Sequence, residues 1–332
     1  MFKHQVINKL AVALLATSAM IAPAQAERLS VSSWGSPMHP QVSQFVPQFV
    51  EKLNEKSGGK FRVRTFQGGE MVKQEFVPTA VPQGTVDISL TTMDTWSGRV
   101  PEVSILTTPL WNKSMEWTRD NLKPGNPVFE YFDAKFREQG VVVLALFDIG
   151  PAVVSTNFPL ARPEDLRGKS VRVYSRGAGL VLQELGGSPV TMGVGDVYSG
   201  LQRGTIDGAM GGLGGAVGLK HYEVTRHMLV QNGVIGTLIH GYVMNRDKYE
   251  RMDPKMRKAL VEAVADARDA MQQHLIDIYD KQVQEVRDAN VNVVTIEQDS
   301  AAWKLWEGAL TSFAETARKS YPGDLVQLIA AD

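Results

Sequence analysis

Cysteine is absent from the 332-residue sequence. That excludes disulfides, thiolate nucleophiles and cysteine-ligated zinc or iron–sulfur centres. Excess charge of either sign is missing too. The formal net charge is −1, with no basic run of the kind that grips nucleic acid, so no nucleic-acid partner is expected. After residue 26 no stretch approaches the roughly 18 uninterrupted apolar residues of a membrane span, and a soluble protein is expected. The motifs that announce catalysis are also missing: there is no H-E-x-x-H, no G-x-S-x-G and no P-loop. His39, His221, His227, His240 and His274 never stand four apart on an expected helix, which argues against a metal. No cofactor, no metal and no enzymatic activity are expected.

What is present begins with residues 1–26. Lys3 and Lys9 precede a mostly apolar run, Leu10 to Ala22, which ends at Ala24-Gln25-Ala26 with no acid anywhere in the segment. A basic start, a short apolar stretch and an A-x-A site read as a cleavable secretory signal, and the run is too short to span a bilayer. Export without cysteine fits a bacterial periplasm. The remainder, roughly 300 residues, is enough for two domains at about 150 each.

The mature chain opens with strand, helix, strand, helix, strand: a strand over 29–33, a helix over 40–55 and a strand over 60–66, then a helix over 70–81 and a strand over 86–90. Phe45, Val46, Phe49, Val50 and Leu53 share one face of the first helix, which Gly58-Gly59 stops. This alternation predicts a parallel sheet with crossover helices. The middle repeats it: a strand over 169–173, a helix over 178–185, a strand at 190–191, a helix over 194–202 and a strand from 206. Gln83-Gly84-Thr85-Val86-Asp87 and Arg203-Gly204-Thr205-Ile206-Asp207 echo each other and point to two similar α/β lobes. Asp253-Pro254 then reads as the start of a helix over 254–289. At 1.5 Å per residue it would run about 54 Å, long enough to lie along both lobes, unless it breaks near Gln272. A last amphipathic helix covers 300–319.

Arg172 is the most informative charge. It sits between Val171 and Val173 near the end of an expected parallel strand, outside which ligands of open α/β sheets bind. A guanidinium there would fork onto a carboxylate, or pair structurally with Glu184 or Asp196. The glycine-rich run 208–218 fits neither a dinucleotide fingerprint nor a Walker loop, and reads either as a backbone wall beside a ligand or as a tight turn. Of Trp34, Trp96 and Trp111, Trp34 follows the first strand in a Ser/Gly/Pro loop and is the one best placed to touch a ligand.

Three blocks carry a family resemblance. They are Gly168-Lys169-Ser170-Val171-Arg172-Val173, Leu185-Gly186-Gly187-Ser188-Pro189-Val190-Thr191-Met192, and Asp196-Val197-Tyr198-Ser199-Gly200-Leu201-Gln202-Arg203-Gly204-Thr205-Ile206-Asp207-Gly208. Together with Pro163-Glu164-Asp165-Leu166-Arg167 and Phe66-Gln67-Gly68-Gly69-Glu70, they resemble the signature of the solute-binding proteins of TRAP transporters, the DctP family. The resemblance implies a two-lobed periplasmic binding-protein fold with hinge strands and a long C-terminal helix across both lobes. Lobe I would hold 27–149 and 238–277, and lobe II 150–237 and 278–332. It also implies a monomeric binder that captures an organic acid anion between the lobes and delivers it to a sodium-driven membrane permease. Arg172 falls on the arginine that meets the ligand carboxylate. Trp34, His39, Thr92, Trp96, Ala152, Ser175, Val194, Gly211 and His240 are the further cleft candidates. Two positions depart from the family. Ala152 stands where many relatives carry a second arginine, and Gly211 where many carry asparagine; Arg99 or Arg176 would have to compensate. The expected ligand is therefore a monocarboxylate, aromatic or otherwise bulky. A sulfonate, or a sensory role through a membrane kinase, is the alternative.

Overall fold

Two mixed sheets organise the chain. The computed structural model describes residues 26–110 and 113–330. The expected signal, apart from Ala26, and Trp111 lie outside the described residues. In chain order come β1 (Glu27–Ser32), α1 (Pro40–Ser43), α2 (Phe45–Ser57), β2 (Phe61–Phe66), α3 (Val77–Ala80), β3 (Ile88–Thr92), α4 (Met115–Asn121), α5 (Pro127–Glu138) and β4 (Val141–Asp148). They are followed by β5 (Ala152–Thr156), β6 (Ser170–Val173), α6 (Arg176–Glu184), β7 (Ser188–Thr191), α7 (Val197–Arg203), β8 (Gly208–Gly212), α8 (Leu213–Gly218) and β9 (His227–Gln231). The last are β10 (Ile239–Asn245), α9 (Arg246–Arg251), α10 (Pro254–Asp288), β11 (Asn292–Ile296), α11 (Ala301–Lys319) and α12 (Gly323–Ala330). The first sheet runs β2-β1-β3-β10-β4 and the second β11-β9-β5-β8-β6-β7.

Neither sheet is wholly parallel, contrary to the expectation from the alternating grammar. β10 pairs antiparallel with β3 and β4, and β5 antiparallel with β8 and β9. In each sheet the antiparallel strand is one that the chain reaches by crossing from the other sheet, so it needs no crossover helix to reverse it. The crossings fall at 149–151 and 232–238, beside one another, and the Ile149 N–H donates to the Leu238 carbonyl at 3.4 Å.

The two sequence echoes do the same job. Gly84 (φ 73°) and Gly204 (φ 69°) turn the chain in the left-handed region. Three residues later Asp87 accepts the Ser30 N–H at 2.8 Å, and Asp207 accepts the Ser170 N–H at 2.8 Å. Each carboxylate thus pins the entry of its strand to the neighbouring parallel strand. That is why β3 and β8 begin two residues later than hydrophobicity alone indicates: Val86 and Ile206 are buried anchors ahead of the ladder.

Proline explains the other local differences. The expected helix over 40–55 is two helices meeting at Gln44, because Pro47 lacks the N–H that would bond to Ser43 and its ring crowds that carbonyl. The helix expected over 70–81 shrinks to a 3-10 turn, Gln74–Phe76, and α3, with Pro78 in its first turn and Pro82 just beyond. The segment expected as one helix over 194–202 starts as a 3-10 turn, Val194–Asp196, before α7.

α10 is unbroken for 35 residues. Asp253 accepts the N–H groups of Lys255 and Met256, and Pro254 fills the first helical position. Leu260, Val264, Ala267 and Met271 pack into the core between the first sheet and α2, while Val283 and Val286 join the core under α8 and β9. One helix therefore braces both sheets. The assignment of 278–332 to the second lobe fails at its end: Leu325 and Ile329 of α12 pack with Phe129, Phe132 and Phe136 beneath the first sheet.

Candidate functional site

The ends of β1 and β3 in the first sheet face the end of β6 in the second across a cavity of about 1020 Å³. Trp34, Gly69, Lys73, Gln74 and Thr95 line it from one side, and Arg172, Ser175, Met192, Val194 and Asp196 from the other. Gly68 and Gly69, at φ of 65° and 77°, carry the chain past β2 onto this wall.

Arg172 reaches the cavity from β6 and is only 7% exposed. Its Nε donates to the Met192 carbonyl at 3.3 Å and its Nη1 to the Met210 carbonyl at 3.1 Å. Among the described residues no carboxylate lies within 4 Å of it, so the structural pairing with Glu184 or Asp196 does not form. Burial pushes its pKa down to about 10, which leaves the guanidinium charged at neutral pH. Two of its donors are spent on backbone carbonyls, which fixes the plane of the fork.

Trp34 forms the opposite wall. Its ring meets His240 edge-on at 5.3 Å and His39 at 5.8 Å. His240 Nε2 lies 3.3 Å from Thr92 Oγ1, which also accepts from Gln74 Nε2 at 2.9 Å. His39 Nδ1 lies 3.2 Å from Ser36 Oγ. Burial holds all three buried histidines in the neutral form. It depresses His39, takes His221 to about 4 and takes His240 to about 3; the Arg172 charge adds to the effect at His39 and His221. Trp34 Nε1, His221 Nε2 and His240 Nδ1 are buried without a partner among the described residues. The nearby imidazoles of His39 and His221 thus add no charge to that of the guanidinium.

Of the sequence candidates, Arg172, Trp34, Ser175 and Val194 line the cavity. Ser175 also caps α6, accepting the Ala178 N–H at 3.2 Å. His39, Thr92 and His240 stand behind Trp34 and Gln74 rather than on the surface of the cavity. A Cβ on Gly211 would meet nothing within 4 Å, so that position opens onto space. Ala152 is buried in the core beside Ile149 and does not line the cavity. Trp96 is a correction: it is fully buried against Phe136, its Nε1 donating to Thr91 Oγ1 at 2.9 Å, and belongs to the core. Arg99 is exposed and off the cavity, while Arg176 lies on its rim with no ion pair among the described residues. Sequence reasoning missed His221 and Lys73. Lys73 follows the Gly68-Gly69 turn, which is the signal that was available; His221 gave none, because its place depends on the fold of β8 and α8.

Among the described residues there is no group of three His, Asp or Glu able to hold a metal, and no helix long and apolar enough to cross a membrane.

Known proteins share this architecture. The model of the DctP family, described as bacterial extracellular solute-binding protein, family 7, matches residues 31–315. The 2,3-diketo-L-gulonate-binding periplasmic protein YiaO of Escherichia coli K12 is 22% identical over 250 residues, 75% of each chain. The C4-dicarboxylate-binding periplasmic protein DctP of Rhodobacter capsulatus is 28% identical over 182 residues, 54% of this chain and 53% of that one. Two solved structures share the fold. DctP7 of Bordetella pertussis, an extracytoplasmic solute receptor binding pyroglutamic acid, superposes with a TM-score of 0.82 at 17% identity, covering 92% of this chain and 99% of that one. A TRAP periplasmic solute-binding protein of Shewanella oneidensis, with bound succinate, gives 0.83 at 18% identity over 92% and 99% of the two chains.

Proposed function

The chain belongs to bacterial extracellular solute-binding protein family 7, the DctP family of transporter receptors for small organic acids, and on that premise we propose that its cleft captures a monocarboxylate of some bulk. The observation that carries this reading is Arg172: a buried guanidinium on the cavity wall, charged at neutral pH, with no acidic partner within 4 Å among the described residues. A carboxylate between the lobes would supply the missing counter-charge in a fork geometry.

Among the described residues, Arg172 is the one buried charge on the cavity wall, while Lys73, Glu75, Arg176 and Asp196 are exposed to solvent, so the deep part of the cleft favours a single anionic group. Trp34 offers apolar ring surface on the cavity, whose volume of about 1020 Å³ leaves room for a bulky acid. The protein then acts as a monomeric receptor in the periplasm, to which residues 1–26 direct it before they are cleaved, and hands its ligand to a membrane permease without chemical change.

The test is a thermal-shift screen of organic acids followed by calorimetry on the best binder. A ligand at 100-fold excess over Kd stabilises the native state by about 2.7 kcal/mol. Arg172→Ala is expected to weaken binding about 30- to several-thousand-fold, equivalent to ~2–5 kcal/mol, while the unliganded protein melts where wild type does. Arg172→Lys binds poorly as well, because an ammonium does not reproduce the planar fork. Wild-type affinity in Arg172→Ala would refute the role of Arg172. A preference for a C4 dicarboxylate over every monocarboxylate would refute the proposed class.

A further inference from the structure

Directly behind the anion cleft, one carboxylate reaches from the first lobe to the second. Asp94, in the 3-10 turn that follows β3, is 2% exposed. Its Oδ2 accepts the N–H of Gly177, in the first turn of α6, at 3.0 Å. Its Oδ1 accepts from Ser104 Oγ at 3.0 Å and Thr107 Oγ1 at 3.5 Å, both on the 3-10 turn Pro101–Thr107. Among the described residues no lysine, arginine or histidine nitrogen lies within 4 Å of it. The first lobe therefore orients the carboxylate through one oxygen and the second lobe is held through the other.

Three features tie this contact to ligand capture. α6 starts three residues after β6, so the β6–α6 unit carries both Arg172 and the Gly177 N–H. Residue 177 is glycine, and a Cβ there would stand 3.0 Å from Asp94 Oδ2 and 3.3 Å from Oδ1, closer than ordinary contact allows. Arg176 and Leu180 of α6 line both the anion cavity and a second interlobe cavity of about 630 Å³, so the contact lies where the two cavities adjoin. A carboxylate on unsatisfied helix N–H groups is a charge-assisted hydrogen bond, favoured further by the helix dipole.

We propose that Asp94 is a positioning residue for capture: by capping α6 across the lobes it holds the closed arrangement in which Arg172 faces Trp34. The proposal rests on the reading of the cleft as the ligand site. Its test, however, needs no ligand. The absence of cysteine lets two spin labels be placed uniquely on the full chain through Glu70→Cys and Glu184→Cys, one on each lobe. Pulsed electron resonance on the unliganded protein then reads the interlobe distance. A short-distance population is expected in the parent, reduced about 10-fold or more relative to the open one by Asp94→Ala, with circular dichroism unchanged. Gly177→Ala attacks the same contact from the other lobe and raises helix propensity, so it is expected to open the lobes without unfolding α6. Asp94→Asn, which keeps an acceptor but not the charge, restores an intermediate population. A parent without a closed population, or identical distances in parent, Asp94→Ala and Gly177→Ala, would overturn the proposal and leave the assignment of Arg172 standing. A parent that closes yet binds none of the acids screened would overturn the cleft reading instead.

Discussion

Arg172 and Asp148 show how burial sets the chemistry of single residues in this molecule. Arg172 was legible in the sequence, because a charge between two apolar strand residues near the end of a strand has a cleft as its natural destination. Trp96 was misread by the same sort of logic: an aromatic just past a strand end looks like a ligand face, but its indole N–H finds Thr91 and its ring finds Phe136. Sequence spacing does not separate these outcomes, since they depend on which helix covers the strand end. Asp148 gave no signal at all. It ends β4 at the first crossing, fully buried, with the Gly150 N–H donating to it at 3.0 Å, and burial raises its pKa to about 7. The folded carboxyl thus keeps a proton that the unfolded chain releases near pH 3.9. Its stabilising contribution is whole below about pH 4 and is lost as pH rises through about 7. Neutral His221 and His240, whose pKa values are depressed, act in the opposite sense: their contribution is whole above about pH 6.5 and is lost on acidification. Asp148→Asn isolates the first effect. Relative to wild type its unfolding free energy is expected to improve by roughly 4 kcal/mol between pH 4 and pH 8. Urea melts across that range check it; a constant difference between the two proteins would contradict the assignment.

Elements were legible where one period ran without interruption. The heptad-like steps from Met256 to Val286 and the Asp253-Pro254 start located α10 to within a residue, and the glycine echoes located two strand entries. The shortfalls came at Pro47, Pro78 and Pro82, where hydrophobic periodicity continued through a broken hydrogen-bond ladder. The one doubt about α10, a break near Gln272, has a physical residue in the structure. The helix passes through intact, but the Gln272 side chain is fully buried and neither its oxygen nor its nitrogen has a partner among the described residues. An unsatisfied buried amide costs on the order of 1–3 kcal/mol. Gln272→Met conserves shape and removes the unpaired groups, so it is expected to raise stability by about 1–2 kcal/mol, read as an upward shift of the urea midpoint at unchanged m-value. A destabilised variant would mean that the amide has a polar partner in solution.

At the scale of the whole molecule, the two-lobed plan was legible and the sense of the strands was not. Alternating helices and strands announce two α/β units, but a reader of the sequence has no cue that β5 and β10 enter their sheets from the opposite side. Adjacent crossings at 149–151 and 232–238 allow one lobe to rotate on the other, with α10 laid along both. Ligand binding is accordingly expected to shift the molecule toward a more compact form, seen as a smaller radius of gyration by X-ray scattering when a tight-binding acid is added. An unchanged scattering profile at saturating acid would contradict closure.

The placing of β10 also dictates an order of assembly. β4 reads Val-Val-Val-Leu-Ala-Leu-Phe-Asp, is buried throughout, and among the described residues has β10 as its only strand partner. Until residues 239–245 are available, this apolar strand has no ladder to join, and the first sheet ends at β3. A chain emerging in sequence order therefore carries a sticky, unpaired edge for about a hundred residues, across the whole of the second lobe's sheet except β11. Long-range pairing of this kind is slow and invites association between chains. The same topology that lets two lobes hinge on paired strands keeps either lobe from being completed alone, so the nascent polypeptide stays unfinished, and threadable, until its last third is made.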